Sequence, residues 1–504
     1  HQLYPKSNLK IFLITGISGV LALGFIQNGV IPGTIALASK MEIFFVNSLG
    51  LPFGLGAAFF FILLIGILVG GLYFTRSKEY KLGNSIILGL IMLFIGYGSF
   101  ATIVIRSNAN PPLDENNPEN LVTLHAFLKR EQYGSWPILY GEYFNSKPAK
   151  QSEFKDRTPN YDRRWVVSTS SGSDIISFKE KELAENYIKN SGQNYKMDEK
   201  YFMINAGAIE NQIAVYTQNT FFPRMFDRMS EQKIRGYKNW SGYDANRKSP
   251  PSQVGDDGRP LPTFGNNITY FVNYQVNWMY WRYFMWNFSG RQNDIQGHGD
   301  EFRGNWLSGF SAVDDVRLGA QGENAPYYTQ HNPSNAKFYY IPLILGLIGM
   351  FFHFLKAPKD GIVVGILFLL TGLAIVIYLN QKTFEPRERD YAYAASFYTF
   401  AIWIGLGVYG LYEAFRSFGK SDYKKLGISY GGLLLLCLIV DMSSNRGMPA
   451  TVSILIIGGI GGGAMLAMTM LRKINAPKTG AAGFAILLGI SAPLLLGTQG
   501  WEGH

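Results

Sequence analysis

The sequence predicts a polytopic α-helical membrane protein of about nine transmembrane helices, with a mixed α+β extracytoplasmic domain inserted between helices three and four. Three observations carry this. The 504 residues are 47% hydrophobic and 15% aromatic, yet their mean hydropathy is only +0.03, so apolar and polar regimes share one chain. Apolar runs long enough for a span recur, since crossing roughly 30 Å of hydrocarbon at 1.5 Å per residue takes about 20 residues. The stretch 107–337 holds no such run and is too long and varied for a linker.

Residues 1–106 form a membrane region with three spans, expected at 11–31, 54–74 and 84–105. Between the first two, Lys40, Glu42 and Asn47 stand among Ile43, Phe44, Phe45 and Val46, a mixture that suits an interfacial amphipathic helix over 34–50. Pro111 and Pro112 stop the third span, because proline cannot continue a helix, and Asn120 then caps a short helix over 121–130. Within the 107–337 domain, Trp165-Val166-Val167 and Ile213-Ala214-Val215-Tyr216 are β-branched and aromatic and read as strands, while the aromatic stretch 273–288 reads as an interfacial helix. Residues 338–504 form a second membrane region with about six spans, expected at 338–355, 361–379, 392–415, 426–440, 451–471 and 480–496. Of these, 426–440 is the shortest.

Orientation follows from lysine and arginine in the short connectors, which resist translocation. With the amino end inside, Lys6 and Lys10, the Arg76–Lys78–Lys81 group, Lys356 and Lys359, the Arg416–Lys420–Lys424–Lys425 group and Arg472–Lys473–Lys478 all face the cytoplasm. One cluster, Lys382 with Arg387 and Arg389, falls outside, and an anion on that face is the physical reason we expect. The formal charge of +10 is scattered among such connectors and a long loop, with no single basic stripe, which excludes nucleic acid as a partner. Cys437 is the single cysteine, so no intrachain disulfide exists. Spans almost free of mid-membrane ionisable groups argue against an ion-coupled transporter.

Two constellations carry candidate chemistry. The connector 385–391 packs Glu385, Arg387, Glu388, Arg389 and Asp390 just before the sixth span; arginine there suits bidentate capture of a phosphate, with the acids in support. A self-neutralising surface loop accounts for the same charges. The run 290–300 gathers Arg291, Asn293, Asp294, Gln296 and His298 behind Trp286 and Phe288, offering amide donors and acceptors beside aromatic faces, as a sugar or a membrane-rim site requires. A turn satisfying its own backbone is the plainer account. His298 has no second histidine at ligand spacing, so no metal is expected from it. The glycine run 458–463 lies within a span and reads as close helix packing.

Several strings go further. Phe25-Ile-Gln-Asn-Gly-Val-Ile-Pro-Gly-Thr34, Asn47-Ser-Leu-Gly-Leu-Pro-Phe53, Asn110-Pro-Pro-Leu-Asp-Glu-Asn-Asn-Pro-Glu-Asn120, Arg130-Glu-Gln-Tyr-Gly134, Gly290-Arg-Gln-Asn-Asp-Ile-Gln-Gly-His298 and Phe384-Glu-Pro-Arg-Glu-Arg-Asp-Tyr-Ala-Tyr393 resemble those of a bacterial family of large multi-pass membrane proteins long defined only as a domain of unknown function. That family is similar to the protein O-mannosyltransferase-like glycosyltransferases of the GT-C type, and the likeness runs over nearly the whole chain. It implies an inner-membrane enzyme with its large loop in the periplasm, taking a sugar from a polyprenyl-phosphate donor to a hydroxyl of an extracytoplasmic acceptor protein. Arg387 and Arg389 would then bind donor phosphate, Glu385, Glu388 and Asp390 would support them, and Arg291, Asn293, Asp294, Gln296 and His298 would face the acceptor; a divalent metal is left open. The family's amino-terminal Trp-Asp-x-Gly-Glu-Phe string, which carries the essential acid, has no counterpart here, and Glu42 is the only early external acid. The chain is therefore expected to be the central portion of a longer protein, with the catalytic acid outside it. The competing expectation is a non-catalytic envelope scaffold whose loop binds partners in a secretion or assembly complex.

Overall fold

A computed structural model describes residues 9–114, 117–129, 138–150, 154–156, 160–169, 175–191, 195–204, 212–321, 325, 327, 331–385, 390–442 and 447–500. Among these the chain is mostly helical, and seven helices are long and apolar enough to cross a membrane: Leu55–Ser77, Lys81–Ser107, Pro358–Leu379, Tyr391–Arg416, Lys420–Met442, Pro449–Lys473 and Lys478–Gln499. Two shorter apolar helices, Ile14–Phe25 and Ile341–Lys356, stand where the first and fourth spans are expected. The helix at 420–442 is longer than the 426–440 read from hydropathy, because its first two turns hold Lys420, Asp422, Lys424 and Lys425 and dilute the apolar signal.

The chain divides into two compact units, residues 1–136 with 149–215, and residues 137–148 with 216–504, so the stretch 107–337 contributes to both. The first unit holds α1 (Leu9–Phe25), α2 (Ile31–Asn47), α3 (Leu55–Ser77), α4 (Lys81–Tyr97), α5 (Ala101–Ser107), α6 (Leu121–Leu128) and α7 (Lys181–Ser191). The 34–50 amphipathic segment is thus helical over most of its length. Asn120 caps α6 as expected, accepting from the amides of Val122 (2.9 Å) and Thr123 (3.0 Å) while Thr123 Oγ1 accepts from the Asn120 amide in return.

The expected Trp165 strand is the centre of an antiparallel sheet, β1 (Tyr161–Thr169), flanked by β2 (Ile175–Phe178) and β3 (Tyr195–Met203). Val166 and Val167 are both buried, one on each face. The 213–216 strand is only partly there: Gln212–Ile213 pairs with Lys155–Asp156, whereas Tyr216 makes a lone bridge to Pro148. Asn47, at the end of α2, grips the open edge of β3 as a further strand would: its side-chain amide donates to the Tyr201 carbonyl (2.8 Å) and accepts from the Tyr201 amide (3.0 Å). Phe53 packs edge-on against the Tyr201 ring.

The second unit begins with Tyr140–Glu142 paired to Asn219–Phe221, then α8 (Glu231–Ser241). A continuous helical stretch follows, α9 (Phe264–Tyr270), a wide π-helical segment (Phe271–Trp281) and α10 (Arg282–Phe288). Six of its aromatics turn inward: Tyr270, Tyr274, Trp278, Tyr280, Phe284 and Phe288 are buried, each adding apolar area removed from water, while Phe264 and Trp281 stay exposed. After α11 (Ser311–Leu318) come the apolar helices α12 (Ile341–Lys356), α13 (Pro358–Thr371), α14 (Leu373–Leu379), α15 (Ala394–Arg416), α16 (Lys420–Met442), α17 (Pro449–Lys473) and α18 (Lys478–Gly500). Glycines bring α12 and α15 together: a β-carbon on Gly349 would strike the Gly407 amide nitrogen at 2.6 Å, and one on Gly407 the Leu345 carbonyl carbon at 2.9 Å. In the 458–463 run, Gly458 meets the Tyr430 ring and Gly461 the Ile344 side chain, in keeping with close packing, while Gly459, Gly462 and Gly463 face open space.

Candidate functional site

The turn 380–385 leaves α14 toward the Arg387–Arg389 connector, and the wide helix and α8 hold it in place. Tyr270 donates its hydroxyl to the Gln381 carbonyl (2.7 Å), Tyr274 to the Lys382 carbonyl (3.0 Å), and Gln275 Nε2 to both the Gln381 carbonyl (2.8 Å) and Asn380 Oδ1 (2.9 Å). Thr383 Oγ1 donates to the Lys233 carbonyl on α8 (2.9 Å), against Gly236, where a β-carbon would lie 2.6 Å from that of Thr383. Asn380 and Phe384 have φ of +40° and +53°, left-handed conformations that cost a non-glycine residue energy and persist only where surroundings fix them.

An ion cluster underlies this turn. Asp227, with its side chain only 1% exposed, accepts from Lys382 Nζ (2.9 Å), Lys233 Nζ (3.2 Å) and the Met229 amide (2.9 Å), and Lys233 continues to Glu385 (3.4 Å). Burial of Asp227 works against its charge, but hydrogen bonds from Lys382, the Met229 amide and Lys233 outweigh it, so its pKa falls below the ordinary carboxylate value. For Lys233, burial likewise opposes the charge, and the Asp227 hydrogen bond with the Glu385 carboxylate raises its pKa above the usual ammonium value. Lys382, one of the three basic residues that the charge pattern led us to expect outside, thus has a buried counter-charge 155 positions away in sequence.

The two predicted constellations meet here. Gln296 Nε2 donates to the Glu385 carbonyl (3.2 Å), and the His298 ring packs on Phe384 with centroids 4.5 Å apart. Arg387, Glu388 and Arg389 lie outside the described residues, and Asp390 opens the short helical turn Asp390–Tyr393. Asn293 is fully buried and committed to its own loop: Nδ2 donates to the Phe302 carbonyl (2.8 Å), and Oδ1 accepts from Gly304 N (2.8 Å) and Ile295 N (3.3 Å). That part of the run behaves as a self-satisfied turn. Asp294 is exposed and accepts from Asn332 Nδ2 (3.4 Å). Arg291 stacks over Trp286, its Cζ 4.5 Å from the ring centroid, and burial lowers its pKa.

A polar cavity of about 270 Å³ opens beside this loop, lined by Arg282, Tyr283, Trp286, Asn293, Asp294 and Gln296 with Ile295 and Gly304. A second, apolar cleft of about 260 Å³ runs between α12, α16 and α17, where Gly458, Gly461 and Gly462 leave room beside Ile344, Ile348 and Tyr430. Among the described residues no group of three or more histidine, cysteine or acidic side chains is arranged to hold a metal. Glu42 is accounted for structurally: it is buried, and its two oxygens accept from Gly54 N (2.6 Å) and Ala57 N (2.9 Å) at the start of α3.

Sequence reasoning missed Asp227, Lys233 and the cavity walls Arg282 and Tyr283. Nothing local marks a buried acid whose partner is distant; the only signal was the aromatic density around Arg282.

A family of unknown function (DUF8416) matches residues 171–272, a segment that includes Asp227, Lys233 and the start of the wide helix. No curated protein and no solved structure matches the chain.

Proposed function

We propose that this chain is part of a membrane-embedded glycosyltransferase of the bacterial inner membrane, which moves a sugar from a polyprenyl-phosphate donor to a hydroxyl on an extracytoplasmic protein. The observation that supports the reading is the contact of the 290–298 loop with the 384–385 turn, where Gln296 donates to the Glu385 carbonyl and His298 packs on Phe384, so that the acceptor-side cluster lies beside the residues from which the arginine connector starts in sequence. In the reaction the acceptor oxygen forms a bond to the anomeric carbon as the bond from that carbon to the phosphate oxygen breaks; lipid phosphate leaves and the acceptor proton passes to a base. Arg387 and Arg389 stabilise the charge that grows on the leaving phosphate. Glu385, held by Lys233, anchors the connector, and the general base is assigned to no residue of this chain. The apolar cleft between α12, α16 and α17 offers the prenyl chain a lodging within the bilayer.

The test is the double variant Arg387→Ala with Arg389→Ala, assayed for sugar on extracytoplasmic protein in cells whose own copy is deleted. Transfer should be lost while the variant still inserts in the membrane at wild-type level. Wild-type transfer would overturn the assignment, and stable co-purification of envelope proteins with no glycan change on deletion would favour the scaffold.

A further inference from the structure

The span formed by α13 and α14, Pro358–Leu379, has 22 residues, about 33 Å at 1.5 Å per residue, against roughly 30 Å of hydrocarbon to cross. Its whole length is needed for the crossing, so side chains packed along it mark depth in the bilayer. The helix through 264–288 runs antiparallel to it. Tyr270 and Tyr274 bond the carbonyls of Gln381 and Lys382 just beyond the end of the span, Tyr280 packs on Val376 and over Gly372, and Phe284 meets Phe368 with ring centroids 6.0 Å apart. Partners on the neighbouring span α15 shift in step: Tyr280 reaches Tyr393 and Ser396, while Phe284 and Phe288 reach Phe400, at 4.8 and 4.7 Å between centroids. Phe368 lies eleven residues before Leu379, which puts Phe284 about 16 Å in from that end of the span.

The chain is built for that depth. As far as Phe288 it is helical and bonds its own backbone, and where it turns back the carbonyls of the buried Ser289 and Gly290 accept from the amides of Phe338 and Leu307 (both 2.9 Å), so the turn is satisfied within the protein as hydrocarbon demands. Arg282 is 5% exposed and keeps its charge off lipid, with Nε donating to the Trp278 carbonyl (2.9 Å), Nη1 to the Gly304 carbonyl, and its plane over the Trp278 ring. Trp281, beside it, is 46% exposed. We propose that residues 278–288 enter the hydrocarbon as a re-entrant helix beside α13 and α14, instead of lying along the membrane surface, with Trp281 against lipid acyl chains. The polar cavity walled by Arg282, Tyr283 and Trp286 then lies beneath the bilayer surface. This topology is independent of the transferase reading and of which face of the membrane the 380–385 turn occupies.

Depth is measured on the full chain in nanodiscs, in a Cys437→Ser background, by spin-labelling Trp281→Cys, Tyr378→Cys, Leu370→Cys or Phe264→Cys and comparing relaxation by oxygen, which favours hydrocarbon, with relaxation by a water-soluble nickel chelate. Tyr378 and Leu370 are exposed on the span and serve as the ruler. Because Tyr280 lies between the levels of Val376 and Gly372, the label at 281 should sit about 3–9 Å deeper than the one at 378, two to six residues at 1.5 Å each, and no deeper than the one at 370. A label at 281 as shallow as that at 378, or as open to the chelate as that at 264, would overturn the proposal. Lipids with bromine on their acyl chains give a second reading that needs no cysteine: they should quench the part of the wild-type emission that Trp281→Phe removes. If that part is unquenched, Trp281 does not face acyl chains and the proposal fails.

Discussion

Replacing Asp227 by Asn keeps the shape of the side chain but removes the charge on which Lys382 and Lys233 converge at 2.9 and 3.2 Å. The carboxylate is 1% exposed and the two lysines 22% and 20%, so the pair is largely shielded from solvent. Removing one partner of a buried pair costs roughly 3–5 kcal/mol, and partial exposure of the lysines, with Glu385 still beside Lys233, puts Asp227→Asn near the lower end, at about 3 kcal/mol. Lys382→Met with Asp227→Asn should cost less than the two single changes summed, by about 1.5 kcal/mol or more, because the double variant strands fewer charges. Denaturant unfolding followed by tryptophan fluorescence gives the energies, and hydrogen exchange locates the loosening at 226–236 and 380–385. The pH dependence has a defined sign. A carboxylate whose folded pKa lies below its unfolded value of about 3.9 contributes stability above that pH and loses it as pH falls through the folded pKa, so the wild type should lose this increment only below about pH 4 and Asp227→Asn should lack it. Additive single costs, or an Asp227→Asn cost under about 1 kcal/mol, would refute the cluster as the anchor of the turn.

Other expectations are simpler. Asn120→Ala removes the capping box of α6 and should cost about 1 kcal/mol in unfolding energy, with exchange rising at Val122 and Thr123. Asn47→Ala releases the edge of β3, and amide exchange at Tyr201 should rise while the paired residues of β1 stay protected. Gly349→Ala forces a methyl into the backbone of α15 and should sharply lower the yield of folded protein, whereas Gly463→Ala, which meets open space, should leave it unchanged. Glu42→Gln weakens the start of α3 and should lower thermal stability without loss of transfer per folded molecule; lost transfer at full stability would give Glu42 a chemical role.

Much of the fold was written in local sequence. Length and hydropathy mark the apolar helices because hydrocarbon thickness fixes how long they must be, and Asn120 and Val166 act through neighbours in sequence or in an adjacent strand. The site was legible in halves. The 290–298 and 385–391 clusters stand out as concentrations of polar and charged residues, but their meeting through Gln296 and Phe384 spans nearly ninety positions and leaves no periodic trace. The inward turn of the 264–288 aromatics was hidden for a like reason: Trp and Tyr suit a membrane rim and a buried polar contact equally, and only the backbone carbonyls of Gln381 and Lys382 show which use Tyr270 and Tyr274 serve. Glu42 reads alike as a cap or as an acid for chemistry until the Gly54 and Ala57 amides are seen on it.

The account depends most on the face of the membrane that the 384–391 turn occupies. Tyr391 is 64% exposed, and Cys437 is the single cysteine, so Tyr391→Cys in a Cys437→Ser background gives one reporter thiol at the turn. A membrane-impermeant maleimide applied to spheroplasts should label it, and applied to sealed inverted vesicles should not. Labelling from the cytoplasmic face alone would contradict the donor site, the orientation and the proposed transfer together.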